Sequence, residues 1–182
     1  MNITVYCGSK IGSNPEFKLG AELLGTWIGQ GGHTMIYGGA TNGLMGITAN
    51  ACLNAGGQVI GIVPKDLEFL ENWHTGLSQL IEVDTLPQRK LLMTDQGDAY
   101  IALPGGPGTL EEIIEMISWA RVGFHQKPCI LFNIDGYYNP LKQVLEQMVS
   151  QAFIQEQDLQ QVHFVQNLPE IEDLLKNYIL SS

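Results

Sequence analysis

Residues 98–112 read DAYIALPGGPGTLEE, and this stretch joins a short apolar run to a glycine-rich turn and a polar segment. The apolar run has the length and continuity of a β-strand that is covered on both faces. The turn contains Gly105, Gly106 and Gly108, and Thr109 then opens a segment with helical spacing of its apolar residues. Strand, turn and helix in this order predict one β–α unit of a parallel sheet.

The same alternation of strand-length and helix-length segments continues along the whole chain. The predicted strands are residues 2–7, 34–37, 58–63, 80–83, 98–103, 128–133 and 162–165. The predicted helices are residues 15–30, 44–54, 87–94, 109–122, 140–152 and 169–179. The pattern predicts a single α/β domain over residues 1–182, with a Rossmann-like, doubly wound, mostly parallel sheet of about seven strands and helices on both faces.

Composition and charge exclude several classes of function. Of the 182 residues, 45% are hydrophobic, a fraction that suits a globular core and is too high for a disordered chain. The net charge of −10 argues against a nucleic-acid partner, which requires a basic surface. No apolar run approaches the ~18 residues of a membrane span, and no signal peptide is recognisable. We therefore expect a cytoplasmic protein with no membrane association.

The cysteines and histidines indicate neither a disulfide framework nor a metal site. Cys7, Cys52 and Cys129 are far apart, odd in number and embedded in apolar runs. The four histidines are scattered and show no ligand spacing. We therefore expect no metal and no cofactor.

The glycines gather where three predicted strands end. In doubly wound sheets, ligands bind at this edge, and the free N–H groups of the following helices attract anions. The three groups are Gly8 and Gly12 after the first strand, Gly38, Gly39, Gly43 and Gly46 after the second, and Gly105, Gly106 and Gly108 after the fifth. These turns predict a phosphate site.

Two familiar phosphate motifs do not match these turns. A P-loop requires Lys and then Ser or Thr after its last glycine, whereas Leu110 and Glu111 follow Thr109. A dinucleotide fingerprint requires glycine at its third position, where the turn at residues 38–43 has Ala40. A nucleoside monophosphate therefore fits the sequence better than a nicotinamide dinucleotide.

Charged residues accompany the turns. Arg89 and Lys90 start a predicted helix and are suited to phosphate, although a solvated basic pair is the alternative interpretation. Glu111 and Glu112 follow the glycine-rich turn, but acidic residues in a first turn can also merely complement the helix dipole, for ~0.3–1 kcal/mol each. Arg121, late in its helix, is interpreted as a favourable C-terminal charge.

Together these segments resemble the LOG (Lonely Guy) family, whose members were often labelled lysine decarboxylases and are cytokinin riboside 5′-monophosphate phosphoribohydrolases. The hallmark PGGxGTxxE motif occupies residues 104–112. Further similar segments are residues 5–9, 37–39, 43–46, 56–61, 89–90, 125–128 and 135–138. The resemblance implies hydrolysis of the N-glycosidic bond of an N6-modified adenosine monophosphate, giving free base and ribose 5-phosphate.

The resemblance also implies roles for individual residues. Arg89 and Glu112 would form the catalytic pair. The residues that would bind the nucleotide are Glu71, Lys90, Gly105, Gly106, Gly108, Thr109, Glu111, Gly8, Ser9 and Gly43. Because family members are usually homodimers with the active site near the interface, the same is expected here.

The chemistry is consistent with these roles. Cleavage at C1′ passes through an oxocarbenium-like state that a carboxylate stabilises and that an activated water attacks. We expect the helix N-terminus to favour the ionised form of Glu112, which makes it a base or charge stabiliser. Arg89 keeps its proton and would hold phosphate or stabilise the departing purine.

Two other functions stay open. A lysine decarboxylase would use pyridoxal phosphate on a Schiff-base lysine, and none of the seven lysines lies in a recognisable setting for it. A non-catalytic nucleotide or molybdenum-cofactor carrier would need phosphate contacts but no carboxylate at the anomeric carbon. The Arg89 and Glu112 pair discriminates between a carrier and a hydrolase.

Overall fold

The computed structural model describes residues 1–67 and 72–181, in which six α-helices flank a seven-stranded sheet. The strands are β1 (Asn2–Tyr6), β2 (Thr34–Tyr37), β3 (Gln58–Pro64), β4 (Gln79–Val83), β5 (Ala99–Ala102), β6 (Cys129–Phe132) and β7 (Val162–Val165). The helices are α1 (Pro15–Gln30), α2 (Gly43–Asn54), α3 (Leu86–Gln96), α4 (Pro107–Arg121), α5 (Asn139–Ser150) and α6 (Leu168–Ser181). The predicted strand–helix alternation is confirmed.

The sheet is parallel throughout and has the order β4-β3-β2-β1-β5-β6-β7. Its winding direction reverses between β1 and β5, where Ile3 pairs with Ala99 and Tyr6 pairs with Ala102. A crevice opens beyond the carboxyl ends of the strands at such a reversal. The glycine-rich turn (residues 104–109) follows β5, so it lies at this crevice. The doubly wound fold class is confirmed.

The core consists of one apolar layer on each face of the sheet. On one face, α1, α2 and α6 bury residues such as Leu24, Ala49 and Ile171. On the other face, α3 and α4 bury Met93 and Ile113. Fully burying a side chain of this size contributes about 1.5–3 kcal/mol to the stability of the fold. The two layers therefore hold in place the helices whose charged side chains line the crevice.

Helix α3 starts one residue before the predicted boundary because a capping box fixes its first turn. The Thr85 hydroxyl accepts a hydrogen bond from the Gln88 N–H, and the Gln88 side chain accepts one from the Thr85 N–H at 3.2 Å. Helix α4 starts two residues earlier than predicted, at Pro107, whose fixed φ angle suits a first helical position.

The three cysteines, Cys7, Cys52 and Cys129, are buried free thiols. Across residues 1–67 and 72–181, no α-helix combines the length and the apolar character needed to cross a bilayer.

Candidate active site

The three glycine-rich turns interlock beyond β1, β2 and β5. The Gly8 N–H donates to the Pro104 carbonyl at 3.1 Å, and the Leu44 N–H donates to the Gly8 carbonyl at 3.0 Å. The first turn therefore bonds to both of the others, which join into one surface at the reversal of the sheet.

Close backbone contact explains two of the glycines. A β-carbon at Gly105 would overlap the Thr109 hydroxyl and would lie 2.9 Å from the Gly8 nitrogen. Gly43 has a φ angle of +57°, and a β-carbon there would overlap the backbone of Ser9 and Lys10. Only glycine lets the turns approach this closely without displacement.

Two adjoining cavities open at this surface and share Gly8, Ser9, Gly106 and Pro107. The first, here the Arg–Glu cavity, has a volume of about 280 Å³. Its other functional lining residues are Arg89, Lys90, Gly108, Thr109, Glu111 and Glu112. The second, here the Tyr137 cavity, has a volume of about 390 Å³ and is lined by Lys10, Phe17, Gly105 and Tyr137 among others.

A buried ion pair joins α3 to α4 inside the Arg–Glu cavity. The Nη2 atom of Arg89 lies 3.0 Å from Oε1 of Glu112, with side-chain exposures of 11% and 13%. The guanidinium packs against Gly38, where a β-carbon would lie 2.8 Å from Nη2. Within the part of the chain that the structure describes, the buried Nε of Arg89 has no hydrogen-bond partner. Sequence reasoning did not identify Gly38 as a residue that makes room for the arginine.

Burial controls the protonation of Glu112 more than the helix N-terminus does. Burial raises the pKa of the Glu112 carboxyl above 4.5, and the Arg89 guanidinium offsets part of this rise. Glu112 is the sixth residue of α4, and helix-dipole effects decline beyond the first turn. The expectation that the fold favours the ionised form of Glu112 through the helix N-terminus is therefore wrong, because burial shifts this carboxyl toward its protonated form.

Lys90 is already paired with carboxylates. Its Nζ atom lies 2.8 Å from Glu111 and 3.3 Å from Glu115. Hydrogen bonding to Glu111 raises the pKa of Lys90, with a further contribution from Glu115, so the ammonium stays charged. Glu111 and Glu115 neutralise Lys90, and Glu112 neutralises Arg89. The best remaining hydrogen-bond donors to an anion are therefore the backbone N–H groups of the glycine-rich turn.

The structure brings most of the predicted site residues to the two cavities. Those that line at least one cavity are Gly8, Ser9, Arg89, Lys90, Gly105, Gly106, Gly108, Thr109, Glu111 and Glu112. Gly43 lines neither cavity and instead packs behind Ser9 and Lys10. Glu71 lies outside the described residues.

The chain that follows residue 71 is held against the turn after β2. The Thr41 N–H donates to the Asn72 carbonyl at 2.9 Å, and the His74 N–H donates to the Gly39 carbonyl at 2.8 Å. The His74 ring also hydrogen-bonds the Asn50 side chain at 2.9 Å. These contacts give His74 a structural role.

Sequence reasoning missed several wall residues of the cavities. Leu86, Met45 and Met93 line the Arg–Glu cavity, and Tyr137 lines the other. The first three gave no signal because apolar side chains on helices are usually core residues. In residues 1–67 and 72–181, no three His, Cys, Asp or Glu side chains are grouped to hold a metal ion.

The fold and the site define a class: doubly wound α/β proteins with a glycine-rich turn beside a buried Arg–Glu pair. The family model described as "Possible lysine decarboxylase" matches residues 45–175. The chain belongs to this family.

Similar proteins carry the enzyme name that the sequence resemblance implied. The chain is 43% identical over 154 residues to the cytokinin riboside 5′-monophosphate phosphoribohydrolase of Rhodococcoides fascians, covering 84% of this chain and 78% of that protein. It is 39% identical over 174 residues to cytokinin riboside 5′-monophosphate phosphoribohydrolase LOG1 of Arabidopsis thaliana, covering 96% and 80%. These relatives confirm the LOG resemblance.

Solved structures confirm the fold. The molybdenum cofactor binding protein of Rippkaea orientalis is 25% identical and superposes with a TM-score of 0.73, covering 98% of this chain and 96% of that one. The molybdenum cofactor carrier protein of Chlamydomonas reinhardtii is 18% identical with a TM-score of 0.74, covering 98% of each chain.

Proposed function

We propose that this chain is an N-glycosyl hydrolase that acts on a purine nucleoside 5′-monophosphate with N6-modified adenine, releasing free base and ribose 5-phosphate. The names of the R. fascians and A. thaliana relatives support this reaction. The observation that carries the proposal is the buried pair of Arg89 and Glu112 beside the glycine-rich turn, in one cavity.

The 5′-phosphate is proposed to bind at the start of α4. The N-cap residue of this helix, Gly106, has no side chain to accept hydrogen bonds from the first N–H groups. The backbone N–H groups of Gly108 and Thr109 are therefore available to phosphate oxygens, and the helix dipole favours the negative charge of the phosphate. Ser9, which lines both cavities, adds a hydroxyl.

With phosphate in this position, the ribose extends toward Glu112. The bond between C1′ and the base nitrogen breaks and leaves oxocarbenium character on the sugar, which the Glu112 carboxylate stabilises. The same carboxylate accepts a proton from a water molecule as the water oxygen bonds to C1′. The base nitrogen takes the electron pair of the broken bond and a proton from solvent, and Glu112 returns its proton to solvent after the products leave. Arg89 keeps its proton throughout and orients Glu112 through the ion pair.

Release of free base measures the proposed activity directly. Purified protein is incubated with adenosine monophosphate, an N6-isopentenyl analogue, and guanosine, cytidine and uridine monophosphates, and the products are separated by chromatography. We expect free base and ribose 5-phosphate in equal amounts from the adenine nucleotides. Glu112→Gln should lower the rate of release about 10²–10⁴-fold. Glu146→Gln, on the exposed face of α5, should release base at the wild-type rate. Absence of base release from every nucleotide would overturn the proposal.

Decarboxylation of lysine is a weaker proposal for this site. A Schiff-base lysine needs a lowered pKa so that its amine is free to react. Lys90 lines the Arg–Glu cavity, but its pKa is raised by Glu111 and Glu115. An absorption scan with added pyridoxal phosphate tests this function, since a bound Schiff base absorbs in the visible range.

A carrier function has one observation in its favour, the 25% identity to a molybdenum cofactor binding protein over nearly the whole chain. A carrier has no need of Glu112 at the sugar. Tight binding of a nucleotide that is recovered intact, with equal affinity in Glu112→Gln, would favour the carrier over the hydrolase.

We also propose a homodimer in which α3 and α4 meet the same helices of a second copy. Three apolar residues of α4, Ile113, Met116 and Ile117, are buried in the core. Large apolar side chains remain exposed on α3, on α4 and just beyond α4, namely Leu91, Leu110, Ile114, Val122 and Phe124. Light scattering should give twice the mass of the 20.0 kDa chain, and Ile114→Asp should give the single mass.

Residues 1–182 are proposed to act as one domain, because one sheet runs through the chain from β1 to β7. A cytoplasmic location is also proposed, since three buried free thiols suit a reducing compartment. Limited proteolysis that leaves one resistant core and cell fractionation test these two proposals.

A further inference from the structure

Three consecutive carbonyl groups at the start of the glycine-rich turn are each held by a separate donor. The Tyr138 hydroxyl donates to the Leu103 carbonyl at 2.7 Å. The Gly8 N–H donates to the next carbonyl, that of Pro104, at 3.1 Å. The Tyr137 hydroxyl donates to the third, that of Gly105, at 2.5 Å. Two adjacent tyrosines thus hold the first and the third carbonyl.

Two of these bonds determine where N–H groups of the turn point, namely those of Gly105 and Gly106, because the peptide after Leu103 ends at Pro104, which has no N–H. In a trans peptide, the carbonyl of one residue and the N–H of the next point in opposite directions. Holding the Gly105 carbonyl on Tyr137 therefore directs the Gly106 N–H away from the tyrosine. Glycine has wide backbone freedom, so without these bonds the turn could adopt other orientations.

The turn that carries the two tyrosines, residues 133–139, is itself tightly constrained. The buried Asn133 side chain accepts a hydrogen bond from the Tyr138 N–H at 2.6 Å and donates one to Asn139 at 2.7 Å. Asp135 and Gly136 adopt left-handed φ angles of 52° and 74°, which reverse the chain.

The start of α1 packs against residues 133–139. The Asn14 side-chain amide donates to the Asp135 carboxylate at 2.8 Å. The Phe17 and Tyr137 rings meet edge to face, with centroids 5.4 Å apart. Tyr138 is 2% exposed, and burial raises the pKa of its hydroxyl, which stays protonated as a donor.

We propose that Tyr137 and Tyr138 are positioning residues for the glycine-rich turn: Tyr137 orients the Gly106 N–H through the Gly105 carbonyl, and Tyr138 anchors the chain at Leu103 where the turn begins. Together they hold the turn in the conformation that sets affinity for the phosphorylated sugar. This inference rests on the proposed function, because it assigns the 5′-phosphate to that turn. The tyrosines act through the backbone of residues 103–105 and take no part in the bond cleavage. Affinity for the base should not depend on them.

The test compares Tyr137→Phe with the wild-type protein, using ribose 5-phosphate and free adenine as separate calorimetric ligands. Tyr137 is 40% exposed, so the phenylalanine variant keeps the ring and should fold. Loss of one orienting hydrogen bond should weaken ribose 5-phosphate binding about three- to tenfold. Adenine binding should stay within twofold of wild type, a selective loss that general destabilisation does not produce.

Tyr100→Phe is the matched control. Its hydroxyl also donates to a backbone carbonyl, that of Thr94 at 2.9 Å, but this carbonyl belongs to α3 and not to the glycine-rich turn. This variant should bind both ligands as the wild type does. Tyr138→Phe should reproduce the effect of Tyr137→Phe if it folds.

The outcomes separate this inference from the proposed function. Wild-type affinity for ribose 5-phosphate in Tyr137→Phe, an equal loss for adenine, or no ribose 5-phosphate binding by the wild type would each overturn the positioning role. A wild-type protein that binds ribose 5-phosphate but releases no base would overturn the hydrolase proposal and leave the positioning role intact, provided that Tyr137→Phe weakens binding selectively.

Discussion

Arg89 Nη2 and Glu112 Oε1 lie 3.0 Å apart, which joins the first turn of α3 to the second turn of α4 inside a cavity. Both side chains are largely withdrawn from solvent, so each charge depends on the other for compensation. The pair is therefore a structural link between two helices as well as the proposed reaction centre.

Breaking this pair from one side should destabilise the protein strongly. Glu112→Leu leaves the Arg89 guanidinium buried without its partner, and we expect a loss of about 3–5 kcal/mol in the free energy of unfolding. Adding Arg89→Met removes the uncompensated charge and should restore most of that loss. Urea titrations of both variants measure the difference, and equal stability of the single and double variants would contradict the coupling.

A methyl group at Gly38 should displace the Arg89 side chain while leaving the charges of both Arg89 and Glu112 in place. A β-carbon there would lie 2.8 Å from Nη2 of Arg89, so the guanidinium must shift. Because misplacement by about 1 Å can cost 10²-fold in rate, Gly38→Ala should lower kcat/KM by about that factor. Gly76→Ala is the control, since its β-carbon would meet only the His74 ring, at 3.2 Å. Unchanged kinetics in Gly38→Ala would count against the role of Arg89.

The pH dependence of activity should reflect the raised pKa of Glu112. The ionised carboxylate is needed, so activity falls as pH drops through the folded-state pKa, which lies above the ordinary value of 4.5. The acidic limb of kcat/KM should therefore lie above pH 4.5. An acidic limb of kcat/KM at or below the ordinary glutamate pKa would show that Arg89 lowers the pKa of Glu112 more than burial raises it.

The same shift has an opposite signature in stability. A carboxyl whose pKa is raised on folding binds its proton more readily in the folded state, so its contribution declines as pH rises from its unfolded to its folded pKa. Relative to Glu112→Gln, the wild-type protein should lose stability as pH rises through that window. Thermal melts of both proteins across the window measure the sign.

The three thiols should be unreactive in the native protein. Burial raises the pKa of Cys52 to about 11 and that of Cys129 to about 12, and it raises the pKa of Cys7 further. Few thiolates form at pH 8, and all three cysteines are buried, Cys7 at 8% being the most exposed. Titration with a disulfide reagent should label no thiol in buffer and three in denaturant. Fast labelling in buffer would contradict this burial.

The sequence was informative where one local signal dominates. Continuous apolar runs predicted the central strands, and Pro107 and the capping box at Thr85 explain the small shifts in helix starts. The glycine-rich turn was visible because glycines at the end of a strand have few other uses. Arg89 and Glu112 were singled out by family resemblance, and the fold brings them together across 23 positions.

Other features depend on long-range packing and left no local signal. Neither the neutralisation of Lys90 by Glu111 and Glu115 nor the contact of Gly38 with Arg89 follows from sequence spacing. The dominance of burial over the helix dipole at Glu112 requires the whole cavity. The hydroxyl of Tyr137 reaches the Gly105 carbonyl from a turn in which Asp135 adopts a left-handed conformation, and neither feature follows from the local sequence.

The central claim is that Glu112 acts on the bond between sugar and base. The most direct measurement follows free adenine and ribose 5-phosphate released from adenosine monophosphate by wild type and by Glu112→Gln, with nucleotide binding measured on both. We expect equimolar products from the wild type and a rate about 10²–10⁴-fold lower in the variant, which should still bind the nucleotide. Intact nucleotide from the wild type, or wild-type rates in Glu112→Gln, would contradict the claim.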